Sequence, residues 1–152
     1  VQLSLPGLTL PTERPLIPVE AAMVLLDRDE DEVLGAVESG TLAWAWDIRR
    51  EGADRRELRI WRDSLLELLS GTRGTAKMEA GQVLASMLPP RPIRTTELQR
   101  FWSCSSTHVT HLLEDGQLTA VAAREAGSGP NSFTRIELSS IRTFLTARRV
   151  TG

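Results

Sequence analysis

The chain repeats itself. Shifted by 76 residues, IPVEAAMVLLDRDEDEVLGAVESGTL at 17–42 lies without a gap over IRTTELQRFWSCSSTHVTHLLEDGQL at 93–118. Ile17 meets Ile93, Val33 meets Val109, Glu38 meets Glu114, Gly40 meets Gly116 and Leu42 meets Leu118. Further along, Arg59 and Ile60 meet Arg135 and Ile136, Ser64 meets Ser140, and Leu69 meets Leu145. Identities are few, but the apolar positions between them agree in class. Self-similarity at a fixed period means that one supersecondary unit is built twice. Two copies make a duplicated module rather than a solenoid, which needs more repeats to bury a continuous core.

Each copy spells the same series of elements. In the second, Leu98, Phe101 and Trp102 mark the buried face of a short helix, with Thr95 or Thr96 as N-cap. After a tight turn, a second helix starts at the N-cap Ser105 and ends at Gly116, a residue suited to the left-handed conformation that closes helices. Asp29 and Gly40 take those roles in the first copy, and Asp29 with Glu32 has the spacing of a capping box. Two short strands follow. LAWAWDI and ELRIW flank RREGADR; LTAVAAR and FTRIEL flank EAGSGPNS, whose Gly, Pro and Asn mark a hairpin tip. A last helix closes each copy, RDSLLELL and LSSIRTFLTARR.

Between the copies, Met78, Val83, Leu84, Met87 and Leu88 have roughly helical spacing and predict one connecting helix before the stiff Pro89, Pro90, Pro92 stretch. The N-terminal LSLPGLTLPTERP reads as an extended arm. The expected division is an arm over 1–16, a first module over 17–71, a linker over 72–92 and a second module over 93–149.

Helix, turn, helix, hairpin and helix make a winged helix-turn-helix. The second copy resembles the small DNA-binding modules of the excisionase and MerR-type family. Thr96-Glu97-Leu98, Ser105, Val109, Leu112, Leu113, Gly116 and Leu118 carry the resemblance, with Ile136 and Phe144 after the wing. The first copy departs further: Val33, Val37, Gly40 and Leu42 fit, but Arg28 stands where the family has an apolar residue. The resemblance implies a mainly α fold with small β-hairpin wings, two tandem winged helix-turn-helix modules joined by a linker helix, in a bacterial or phage protein. It implies double-stranded DNA as partner, with the second helix of a module in the major groove.

On the second copy the groove-facing positions are Ser106, Thr107, Thr110 and His111, with Ser105 and His108 at their edge and Arg94, Arg124 and Arg135 around them. Hydroxyls and imidazoles exchange hydrogen bonds with phosphates and base edges. Family members commonly pair through a C-terminal coiled coil. No such coil is expected here, so duplication replaces pairing, or the linker methionines form a homodimer contact.

Charge separates the copies. Residues 17–71 hold seven Arg against thirteen Asp and Glu; residues 93–152 hold seven Arg against five acids. The first copy's second helix opens Asp29-Glu30-Asp31-Glu32, which suits the helix dipole but repels phosphate. DNA is therefore expected at the second copy. In the first, Arg49, Arg50, Arg55 and Arg56 are candidates for backbone contact or for pairing with the acids among them. Trp44 and Trp46 share one strand face, either as core or as a surface for a protein partner.

Other classes find little support. A net charge of −2 and a pI near 5.8 argue against a nucleic-acid-coating protein. Cys104 is the only cysteine, so no intrachain disulfide forms. No apolar run reaches the roughly 20 residues of a membrane span, and no secretory signal is visible. The expected location is the cytoplasm, associated with the nucleoid. Cys104, His108 and His111 lack a fourth ligand at metal-site spacing, and neither a phosphate loop nor a nucleophile elbow is present, so no metal, cofactor or catalysis is expected. Two rivals to a transcription regulator or architectural factor remain. One is a phage excisionase or small terminase-type packaging factor; the other is a protein-interaction adaptor that has lost DNA binding.

Overall fold

The computed structural model describes residues 14–71, 74–121 and 134–150, and the backbone of 4–5 and 8–9. Among the described residues, seven α-helices accompany small antiparallel sheets. β1 (Ser4–Leu5) pairs with β2 (Leu8–Thr9). The first copy follows: β3 (Leu16–Pro18), α1 (Val19–Leu26), α2 (Glu30–Glu38), β4 (Ala45–Asp47), β5 (Leu58–Trp61) and α3 (Arg62–Ser70). A 3-10 turn (Gly74–Lys77) and α4 (Ala80–Met87) connect to the second copy: β6 (Ile93–Arg94), α5 (Thr95–Trp102), α6 (Ser106–Glu114), β7 (Arg135–Ile136) and α7 (Leu138–Arg148).

The 76-residue offset holds in three dimensions. α1 maps onto α5 and α2 onto α6 at both ends. Ile17 faces Ile60 across β3 and β5, as Ile93 faces Ile136 across β6 and β7. The glycines that follow the second helices have positive φ, 82° at Gly40 and 76° at Gly116. Asp29 caps α2 by accepting from Glu32 N–H at 2.8 Å, while Glu32 accepts from Asp29 N–H at 3.2 Å. Ser105 caps α6 by accepting from His108 N–H at 3.1 Å.

The offset slips once. Ala45 stands opposite Ile60, but Ala120 stands opposite Ile136, so the first copy carries one extra residue between Leu42 and its hairpin.

The first copy has a core of its own, but the second copy's core is shared with it. β4 and β5 are buried on both faces, and the period of two along a strand assigns each residue its side. Ile17, Ala45 and Ile60 pack with Ala22, Val33, Val37 and Leu65 of their own copy. Leu16, Trp44, Trp46, Ile48 and Trp61 pack instead with α4 and with Leu98, Trp102, Val109, Leu112 and Leu145 of the second copy. Polar contacts follow the same seam. Arg59 donates from Nε to Trp102 O at 2.7 Å and from Nη2 to Ser103 O at 3.0 Å. Ser103 Oγ donates to Leu16 O at 2.8 Å. After α7 the chain returns to β4: Val150 N–H donates to Ala45 O at 2.8 Å, and the Arg149 guanidinium lies 3.4 Å from the Trp44 ring centroid.

Four expectations change. Trp44 and Trp46 are 2% and 1% exposed, so their face, covered by the linker and the second copy, offers nothing to another protein. Met87 is buried in the shared core and Met78 packs against it, which takes the linker methionines away from a homodimer contact. Arg94, rather than Thr95 or Thr96, is the N-cap position of α5. Leu16, assigned to the arm, opens β3 and is fully buried. No described helix is long and apolar enough to cross a membrane.

Candidate nucleic-acid interface

α6 is short, and its composition is a poor helix former, so packing must hold it. Val109 and Leu112 are fully buried, with Leu113 against the same core. These residues fix which way the rest of the helix points. Ser105, Ser106, Thr107, Thr110 and Glu114 are exposed.

One flank of α6 is already occupied by the first copy. His108 Nε2 lies 2.5 Å from Ile48 O, and a carbonyl only accepts, so that nitrogen carries the proton. The other ring nitrogen is 3.9 Å from Glu57, and the side chain is 11% exposed. His108 is thus an interdomain contact, not a base reader. Beyond it, Arg50 binds Asp115 through two hydrogen bonds of 2.6 and 2.9 Å and holds that carboxyl below its ordinary pKa. Glu51 N–H donates to Gln117 at 3.1 Å. The face left for a ligand is Ser106, Thr107 and Thr110, with half-buried His111 at its margin and Glu114 at its far end.

Of the first copy's candidate arginines, two are used internally. Arg49 pairs with Asp47 at 3.2 Å and donates to Ala53 O, and Arg50 holds Asp115. Arg55 and Arg56 are exposed, but they line a cleft of about 440 Å³ together with Glu20, Glu30 and Glu57. The second copy's cations are arranged differently. Arg94 and Arg135 face each other across β6 and β7, both exposed. With Arg91 and Arg100 they line an open cleft of about 380 Å³ that contains one carboxylate, Glu97. Arg91 grips Glu97 with two bonds of 2.9 and 2.7 Å, which, with Arg94 N–H, holds its pKa down at about 2. Arg124 lies outside the described residues.

Arg91 and Arg100 were missed in the sequence. The repeat held the signal: extended upstream, it sets Pro15, Pro18 and Val24 of the first copy against Arg91, Arg94 and Arg100 of the second. Cys104 is half-buried, and burial pushes its thiol up to about 11. No group of three metal-ligating side chains is found among the described residues. Comparison with models of known families, with curated proteins and with solved structures finds no match for this chain.

Proposed function

We propose that the protein binds double-stranded DNA through its second copy, as a transcription regulator or architectural factor built from two tandem winged helix-turn-helix modules. One observation carries this. α2 and α6 have the same length, the same cap position and the same closing glycine, yet they present opposite chemistry to solvent. The first turn of α2 exposes Glu30, Asp31 and Glu32; that of α6 exposes Ser106 and Thr107 and has no acid. The fold tolerates carboxylates there, so their absence from α6 is a property of its surface. Short hydroxyl side chains let a helix approach phosphates and base edges closely. The first copy then serves as a brace, since its hairpin loop fixes the flank of α6 through His108 and Asp115.

The test is fluorescence anisotropy on a short random duplex across a salt series. About 3–5 phosphate contacts give a log–log slope of about −3 to −4. Ser106→Glu with Thr110→Glu should abolish binding while the circular dichroism spectrum stays unchanged, because both sites are exposed. Binding that ignores salt, or that survives the double substitution, overturns the proposal. Excision directionality and DNA packaging use the same contact and are separated from regulation by the sequence bound.

A second reading keeps the fold and gives up DNA. The exposed carboxylates of α2 suit a basic protein surface; Arg28 pairs with Glu32 at 3.0 Å. A duplex titration without signal favours that adaptor role.

A further inference from the structure

The cleft beside β6 and β7 has a composition that folding does not require. Arg91 is committed to Glu97. Among the described residues, Arg94, Arg100 and Arg135 form no ion pair, and all three are exposed around a cleft whose only carboxylate is taken. Like charges directly opposite on neighbouring strands destabilise a sheet, and Arg94 faces Arg135 in that way. A guanidinium stays charged at any working pH, so the repulsion is permanent.

The first copy is an internal control. It builds the same strand pair and the same helix with Pro18 for Arg94 and Val24 for Arg100. Its counterpart of Arg135, Arg59, is turned to the carbonyls of Trp102 and Ser103. The arginines are therefore dispensable for the architecture, and they line a cleft with a single carboxylate, unlike Arg55 and Arg56 of the first copy. An anion with several acceptor oxygens relieves the repulsion, and guanidinium forks match phosphate geometry. Thr96, on the same wall at the first turn of α5, adds a hydroxyl donor.

We propose that Arg94, Arg100 and Arg135 form a phosphate-binding site in this cleft, with Arg91 holding Glu97 out of competition. The phosphate comes either from a duplex backbone or from a free phosphorylated compound, and only the first source rests on the DNA function proposed above.

Two ligands separate the sources: inorganic pyrophosphate by titration calorimetry and a short random duplex by anisotropy, both on the full chain at low salt. Arg94→Ala with Arg135→Ala should weaken pyrophosphate binding at least about tenfold. Arg100→Val, which installs the first copy's residue, should act in the same direction without disturbing the fold. Arg142→Ala on the exposed side of α7 removes the same charge elsewhere and should change nothing. If the duplex backbone is the source, the Arg94 and Arg135 pair substitution also flattens the duplex salt slope by about 2. Pyrophosphate binding without any duplex binding retires the DNA function and keeps the site. Wild-type protein that binds neither ligand overturns the site, as does a loss with Arg142→Ala equal to that with Arg100→Val.

Discussion

Asp27 and Ser103 occupy the same place in the two copies and both hold a left-handed backbone, with φ of 53° and 50°. Each ends the first helix and turns the chain toward the second. Non-glycine residues adopt this conformation at a cost of roughly 1 kcal/mol. The two differ in what holds them there. Ser103 donates from Oγ to Leu16 O and offers its carbonyl to Arg59, both across the seam between the copies. Asp27 is exposed. Asp27→Gly is therefore expected to raise stability by about 0.5 kcal/mol. Ser103→Gly gains the same relief but loses a hydrogen bond worth about 1 kcal/mol, so it should be neutral or destabilising. Urea unfolding of the two variants measures this, and equal stabilisation by both contradicts it.

Ser64 and Ser140 give a second pair with unlike fates. Ser140 Oγ accepts from Thr119 N–H at 3.1 Å and donates to Glu137 O at 2.7 Å. Ser64 Oγ is buried without a partner. Trp44 holds the place of Thr119, since Trp61 N–H donates to Trp44 O as Glu137 N–H donates to Thr119 O, yet Ser64 Oγ makes no bond there. Ser64→Ala is expected to be neutral or to stabilise by up to about 1 kcal/mol, and Ser140→Ala to destabilise by about 1–2 kcal/mol. Thermal melts with the order of the two reversed would contradict this difference in hydrogen bonding.

Gly40 and Gly116 test backbone strain alone. Nothing lies within 4 Å of where a Cβ would sit at either residue, so the left-handed φ is the whole cost of a side chain. Gly40→Val and Gly116→Val should each destabilise by roughly 1–3 kcal/mol. Near the melting temperature, duplex affinity should fall with Gly116→Val, while Gly40→Val acts mainly on stability. Equal loss of affinity in two folded variants would show that both copies read DNA.

Glu97 makes stability depend on acid. Its folded pKa of about 2, set first by the Arg91 hydrogen bonds, lies below the ordinary 4.5. A depressed carboxyl contributes its full stabilisation above the unfolded value and loses it as pH falls from about 4.5 toward 2. Glu97→Gln should remove that part of the acid sensitivity and leave stability at pH 3 closer to that at pH 6 than in the parent. A carboxyl NMR titration of Glu97 with an ordinary midpoint would rule this out.

Much of each module was legible because its determinants are local. Caps, closing glycines and apolar spacing act within a few residues, which is why α2 and α6 fall where Asp29, Gly40, Ser105 and Gly116 put them. The face proposed to meet DNA was legible in part. Ser106, Thr107 and Thr110 are exposed as their spacing from Val109 and Leu112 requires. His108 lies one step round the same helix and was misassigned, because periodicity identifies the flank of a helix but not the neighbour that covers it.

The sequence by itself determined that one unit is built twice, where the second helix of each starts and stops, and that its charge is unequally shared. Tertiary structure alone decided that the two units are one body. Alternation along β4 puts Trp44, Trp46 and Ile48 on one face, but a two-residue period does not say whether water, a partner or the other copy lies against it. The answer comes from contacts between residues far apart in the chain, such as Arg59 with Trp102 and Arg50 with Asp115. Such contacts depend on how two finished surfaces fit, and no local pattern encodes that fit.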